Sequence, residues 1–409
     1  MPIVGLTDDA HNRRCPLSAE TLDHAASAGA RPVPRWRAAL HRAAPALGLF
    51  AAARLTGMVA LAAWAWHVGR SPRALLATSW DSLWYTRIAA HGYGRTLYWP
   101  DGMVQSDLAF FPLYPALVRA TTALLPVAGG TAGLVLSWAS AGAAAWGIYL
   151  IGERLHGRAT ATVLVLLWGL LPHSIVLSMA YTEPVMTAFA AWALYAVLTR
   201  RWLWAGALAA LAGLSRPSGI AVAAAVLAAT AYELWQGRGR GRPGLAAVWA
   251  GAALAPLGWT GYVLWVGMRT GDVLGGYFAV QEGWSSRFDL GIGALRVVRT
   301  VVTAPTHFGF GMAMLITGAG VLLFALMLLD RPPLPLLVYT AVLVLITVGG
   351  SGFFESKPRF LLPAFPLLLP LARALTKARP RAAIVVVAAL AGLSFGYGVY
   401  ALTLAPMAL

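Results

Sequence analysis

The sequence predicts an all-α polytopic membrane protein, a bundle of about eleven transmembrane helices. Composition carries the first observation: of 409 residues, 59% are hydrophobic and 11% charged, where a soluble domain holds about 45–50% and 25%. Mean hydropathy is +0.69. Uncharged runs repeatedly reach about 18–24 residues, the length that crosses a hydrocarbon core of about 30 Å. These observations exclude a soluble enzyme, a nucleic-acid-binding module and a disulfide scaffold. Cys15 is the only cysteine, so there is no internal disulfide and no multi-cysteine metal site.

Residues 1–44 contain no apolar signal-peptide core and read as a basic, disordered cytoplasmic tail. Residues 45–409 read as a single transmembrane domain. Its apolar runs lie at 45–68, 131–151, 159–180, 184–199, 203–214, 218–235, 245–267, 306–329, 334–350, 360–376 and 382–404. The segment 110–125 is also apolar, but it carries Pro112, Pro115 and Arg119 and is short for a span, so it reads as a helix lying at the membrane interface.

The charge balance is 31 basic against 15 acidic residues, a net +16. In a membrane protein this excess bears on topology and lipid phosphate, and no nucleic-acid partner is expected. Arg13, Arg14, Arg31, Arg35, Arg37 and Arg42 favour a cytoplasmic N-terminus. Alternation from there places the short basic loops 152–158, 200–201, 236–244 and 377–381 inside. Counting 110–125 as a crossing would turn all of them outward. The outer side receives the first large loop, 69–109, the turns 181–183 and 215–217, the second large loop, 268–305, and the segment 351–359. Asp81, Asp101, Asp107, Glu183, Asp272, Glu282, Asp289 and Glu355 gather there. No inverted repeat and no run of mid-bilayer carboxylates is visible, which weighs against a secondary transporter.

Two clusters stand out in the first outer loop. In the first, Trp80, Trp84, Ile88 and His91 recur at spacings of three to four, predicting a short amphipathic helix beside the membrane. Asp81 at its start reads either as a helix N-cap or as a general base. The second, Ala109-Phe110-Phe111-Pro112-Leu113-Tyr114-Pro115, reads by itself as an interfacial anchor.

Together, WDSLWYTRIAAHGY (residues 80–93 with Ser79 outside) and AFFPLYP resemble the family of GPI mannosyltransferase II (PIG-V) and its bacterial relatives. The family pattern is W-D-x-x-x-Y/F-x-x-I-A-x-x-G-Y followed by A-F-F-P-x-Y/F-P. The resemblance continues at Tyr181-Thr182-Glu183, where the family shows Y-S-E, and at Ser215-Arg216-Pro217-Ser218-Gly219. It ends at Pro358-Arg359-Phe360 with Pro363 and Phe365-Pro366. The matched segments keep their order over roughly residues 79–370. Departures are Ser79, where some relatives have Arg, and Pro217-Ser218, where others have Ser-Asn.

The resemblance implies a GT-C glycosyltransferase: a polytopic helical enzyme with interfacial helices and a catalytic aspartate in its first outer loop. The implied reaction moves mannose from a polyprenyl-phosphate-mannose donor to a lipid or lipoglycan acceptor, on the outer face of a bacterial cytoplasmic membrane. Asp81 is then the catalytic residue, with Arg216, Lys357 and Arg359 as donor phosphate-binding cations. Trp80, Tyr85, His91, Tyr93, Tyr114, Tyr181 and Glu183 are substrate-binding candidates. An inverting transfer needs one base at the acceptor hydroxyl, and cations to neutralise a phosphate leaving group. No cofactor is assigned. Asp101 and Asp107 leave a divalent cation open, and no Asp-x-Asp pair marks a nucleotide-sugar metal site. His173, beside Pro172, reads as a core residue. The alternatives are another polyprenyl-linked sugar, a protein acceptor, or a non-catalytic lipid-linked-sugar transporter or scaffold.

Overall fold

The computed structural model describes residues 35–100, 102–236 and 244–405. The expected tail up to residue 34, Asp101 and most of the basic loop 236–244 lie outside these residues. The chain divides into two compact units, Met1–Arg42 and Ala43–Leu409. The second holds every element described below apart from the opening of the first helix.

Among the described residues, the regular structure is helical apart from one short hairpin, as the composition predicts. Helix α1 (Arg35–His67) starts well before the apolar run at residue 45. Arg and Ala are both strong helix formers, so charge ends an apolar run without ending a helix. Two short helices follow, α2 (Pro72–Ala77) and α3 (Asp81–His91). Strands β1 (Thr96–Tyr98) and β2 (Val104–Ser106) pair antiparallel, with Leu97 opposite Gln105. Helix α4 (Leu113–Leu124) is the segment expected at the interface. Its 12 residues rise only about 18 Å, too little to cross.

Helix α5 (Gly129–Gly169) has two arms that meet at a break at Gly157, where φ is 83° and ψ 173°. A Cβ added to Gly152 would lie 2.9 Å from the Ala161 Cα, and one on Gly133 would lie 2.8 Å from the Ala180 Cβ. Nine residues along a straight helix would separate Gly152 from Ala161 by about 13 Å. The two arms therefore lie back to back, and the charged segment 152–158 occupies the bend, with Arg158 Nε 3.3 Å from Glu153.

The second half of the bundle comprises α6 (Glu183–Leu198), α7 (Trp202–Ser215), α8 (Ile220–Gln236), α9 (Leu245–Leu254), α10 (Leu257–Thr270), α11 (Gly276–Gly283), α12 (Ile292–Thr303), α13 (Phe308–Leu329) and α14 (Leu334–Gly349). The short α15 (Lys357–Phe360), α16 (Leu369–Lys377) and the long α17 (Pro380–Thr403) complete it. Neighbouring helices pack on small residues: a Cβ on Gly206 of α7 would lie 2.2 Å from the Gly251 carbonyl oxygen of α9. Close backbone approach of this kind is the usual basis of helix association in lipid.

By length and composition, six helices among the described residues can cross a membrane, or seven if the pair 354–360 and 365–377, bent by 78°, is one span. The expectation of about eleven differs from this number for physical reasons. The two runs on either side of the loop 152–158 are the two arms of α5, counted as one helix, and α6, α7 and α14 are apolar but have only 10–17 residues.

Polar side chains collect at the two ends of the bundle. At one end Arg373 meets Asp330 at 2.7 Å, Thr160 meets Thr376 at 3.3 Å, and Arg200 pairs with Glu233. At the other end come together the start of α3, the start of α6, the turn after α7 and the segment between α14 and α15. Between the ends, the buried Arg54 of α1 donates to Gly169 O at 3.1 Å and to Ser178 Oγ at 2.9 Å.

Candidate active site

Asp81 opens α3. The residue before it, Trp80, occupies the N-cap position at φ 48°, ψ −115°, and no side chain caps the helix. The capping reading of Asp81 is therefore not the one its side chain adopts: its carboxylate turns to Arg359 Nη1 at 2.8 Å. Trp84 and Tyr85, one turn along, share its face. The Tyr85 hydroxyl lies 3.2 Å from Thr182 Oγ1.

A chain of alternating charge runs inward from Asp81. Arg359 Nε lies 3.7 Å from Glu183 Oε1, and Glu183 pairs in turn with Arg216 Nη1. Arg216 also donates to Thr182 Oγ1 at 3.1 Å. Glu183 is fully buried, and Arg216 and Arg359 are nearly so. Glu183 is the first residue of α6, where the helix N-terminus favours a negative charge. Aromatic faces line the guanidiniums: Arg359 stands 5.3 Å from the centre of the Tyr181 ring, and Arg216 5.7 Å from that of Phe360. Removing any one member of such a buried group leaves an uncompensated charge.

Trp80, Asp81, Tyr85, Arg216, Lys357 and Arg359 all line one cavity of about 560 Å³. Lys357 reaches it with an ammonium that donates to Thr347 O at 2.5 Å and Gly350 O at 2.6 Å. Tyr181 and Glu183 stand behind this surface and are completely buried. The walls are aromatic, with Trp84, Phe110, Trp259, Tyr277 and Trp284 among them.

The structure does not bring His91, Tyr93 and Tyr114 to the cavity. His91 ends α3 on an exposed position, about 15 Å along the helix axis from Asp81. Tyr93 donates to Phe110 O at 2.7 Å and packs beside Trp265; burial raises its phenol above the usual range. Tyr114 is buried beneath the site, its hydroxyl donating to Gly133 O at 2.9 Å. Asp107 also lies off the cavity, with Oδ2 accepting from Gly94 N at 2.9 Å and Arg95 N at 2.8 Å. Burial raises its carboxyl above the ordinary range despite these bonds. Among the described residues no group of three or more His, Cys, Asp or Glu is placed to hold a metal ion. His173 is packed against Tyr397, as a core residue.

Sequence reasoning missed Thr182 as the hydroxyl joining Arg216 to Tyr85, although it sits inside the Tyr-Thr-Glu motif. It also missed Gln281, Trp284, Arg287 and Phe288 on the cavity wall. These come from the second large loop, which carries no motif to single them out.

The sequence matches no protein-family model and no curated protein. Among solved structures, the chain is similar to the archaeal oligosaccharyltransferase AglB from Archaeoglobus fulgidus, in complex with an inhibitory peptide and a dolichol-phosphate. The TM-score is 0.45 at 14% identity, over 86% of this chain and 55% of that one. It is also similar to ArnT from Cupriavidus metallidurans bound to undecaprenyl phosphate, with a TM-score of 0.48 at 16% identity, over 75% of this chain and 57% of that one. The chain thus spans little more than half the length of either.

Proposed function

We propose that this chain is an inverting GT-C glycosyltransferase that moves mannose from polyprenyl-phosphate-mannose to a lipid or lipoglycan acceptor. One observation carries the reading. Asp81 of the Trp-Asp motif shares a single cavity with Arg216, Lys357 and Arg359, the four residues coming from three distant parts of the sequence. The ordered resemblance to the mannosyltransferase family supports the sugar.

In this reading the Asp81 carboxylate takes the proton of the acceptor hydroxyl while that oxygen bonds to the anomeric carbon. The carbon–oxygen bond to phosphate breaks, and the leaving phosphate keeps the electron pair. Its growing charge is met by cations already fixed in place. Arg359 holds Asp81 in position, and Glu183 holds Arg359 and Arg216. Aromatic walls suit both sugar faces and isoprene units.

The positive-inside bias of the short loops supports a cytoplasmic N-terminus and a cavity on the outer face of the membrane. On that side a cytoplasmic nucleotide sugar is absent, so the donor is lipid-linked. The eleven apolar runs support about eleven crossings. The test is transfer by purified protein from radiolabelled polyprenyl-phosphate-mannose beside a soluble nucleotide-mannose. Transfer from the lipid donor alone is expected. Transfer from the nucleotide sugar without lipid carrier overturns the reading.

A further inference from the structure

The cations of the cavity are not equivalent. Arg359 is committed to Asp81 and Glu183, and Arg216 to Glu183 and Thr182. Lys357 touches backbone carbonyls and no carboxylate. Arg287 also lines the cavity; its side chain is exposed and makes no ion pair among the described residues. The nearest acid in sequence, Asp289, stands off the cavity lining, accepts from Gly291 N at 3.0 Å and Gly293 N at 2.8 Å, and acts on Lys357 through space without forming an ion pair. After pairing, the positive charge left over in the cavity therefore belongs to Lys357 and Arg287.

Both hang from one piece of backbone. Ser351 donates its N–H to Arg287 O at 2.7 Å, and its hydroxyl to the same oxygen at 3.0 Å. Phe288 bridges Gly350 as an antiparallel pair, and Gly350 O also receives the Lys357 ammonium. Two exposed rings share the cavity lining with Arg287: Phe288 is 53% exposed and Phe353 39% exposed. An arginine fork in a cavity that also presents exposed rings matches an anion carried on an apolar chain.

Resting on the glycosyltransferase reading above, we propose that Arg287 and Lys357 seat the phosphate of the lipid-linked donor, while Arg216 and Arg359 serve to fix Glu183 and Asp81. Phe288 and Phe353 take the first isoprene units.

The experiment titrates the purified full chain in detergent with undecaprenyl phosphate, following tryptophan fluorescence, with undecaprenol and phosphatidylglycerol as separate arms. The wild type binds undecaprenyl phosphate at least tenfold more tightly than either control lipid. Arg287→Ala weakens this binding about ten- to hundredfold, as loss of a charge-assisted contact should, and Arg287→Lys weakens it less. Arg299→Ala, in the same loop but off the cavity, changes nothing. The thermal unfolding of Arg287→Ala matches that of the wild type, since the side chain is exposed. Equal binding by wild type and Arg287→Ala overturns the seat and leaves the glycosyltransferase reading standing. Equal weakening by Arg287→Ala and Arg299→Ala also overturns it, as diffuse electrostatics. Phosphatidylglycerol binding as tightly as undecaprenyl phosphate makes the site a general headgroup site and overturns the donor assignment. A wild type that does not distinguish undecaprenyl phosphate from undecaprenol removes both proposals.

Discussion

Glu183→Gln changes almost no volume yet removes the central charge of the buried chain. Glu183 is completely buried, and the side chains of Arg216 and Arg359 are only 8% and 11% exposed. Solvent therefore screens the loss poorly. Breaking a buried pair by removing one partner costs about 3–5 kcal/mol, against about 0–1 kcal/mol for a surface pair. Thr182 remains beside Arg216 and Asp81 beside Arg359, so the lower half of the buried range, about 3 kcal/mol, is expected. Equilibrium unfolding in detergent, followed by tryptophan fluorescence, measures it. The double variant Glu183→Gln/Arg216→Gln leaves one charge fewer unpaired. It should lose less than the sum of the singles by at least about 1 kcal/mol. A single-variant loss below about 1 kcal/mol, or strict additivity, would refute the buried chain as a coupled unit.

Gly157→Ala places a side chain at φ 83° and should destabilise the fold by about 1–3 kcal/mol in the same assay. Tyr114→Phe removes the hydroxyl bonded to Gly133 O, costing about 1–2 kcal/mol; transfer activity should hold within about twofold, because the ring lies off the cavity. Asp107 has a raised folded-state pKa, through burial, so its protonated form is favoured on folding. Its contribution is present at pH below 3.8, the ordinary value, and is lost as pH rises through the raised pKa; Asp107→Asn should flatten the stability–pH curve over that window. Single cysteines at the exposed Ser285 and Arg201, in a Cys15→Ala background, should react with an impermeant thiol reagent from opposite sides of the membrane.

The helical class and the apolar runs were legible because burial in lipid writes itself into composition, a signal that needs no tertiary information. Asp81 and the cations Arg216, Lys357 and Arg359 were legible as motif members, and the fold gathers them around one cavity. Their division of labour was not legible, because ion pairing depends on which helix ends meet. Glu183 read as a helix cap, as the group that orients Arg216 or as a sugar contact, and the meeting of the α6 start with both the turn after α7 and α15 makes it the centre of two arginine contacts. His91, Tyr93 and Tyr114 have the right chemistry in the right motifs, but motif membership does not say which face of a short helix meets the cavity. Arg287 was silent for the opposite reason: it stands in a loop with no pattern, and its value comes from a backbone pairing between residues 288 and 350. The reversal at Gly157 was half legible. Charge marked the bend between two apolar runs, but the glycine that carries the turn gives no signal in hydropathy.

The measurement that bears most directly on the proposed reaction is single-turnover transfer from polyprenyl-phosphate-mannose by purified wild type and Asp81→Asn. The substitution keeps size and hydrogen-bonding atoms near Arg359, and thermal unfolding verifies that both proteins are folded. With Asp81 as the base, the variant loses about a hundred- to ten-thousandfold in rate while still binding undecaprenyl phosphate. Near-normal turnover by the folded variant would remove Asp81 from the chemistry and contradict the proposed mechanism.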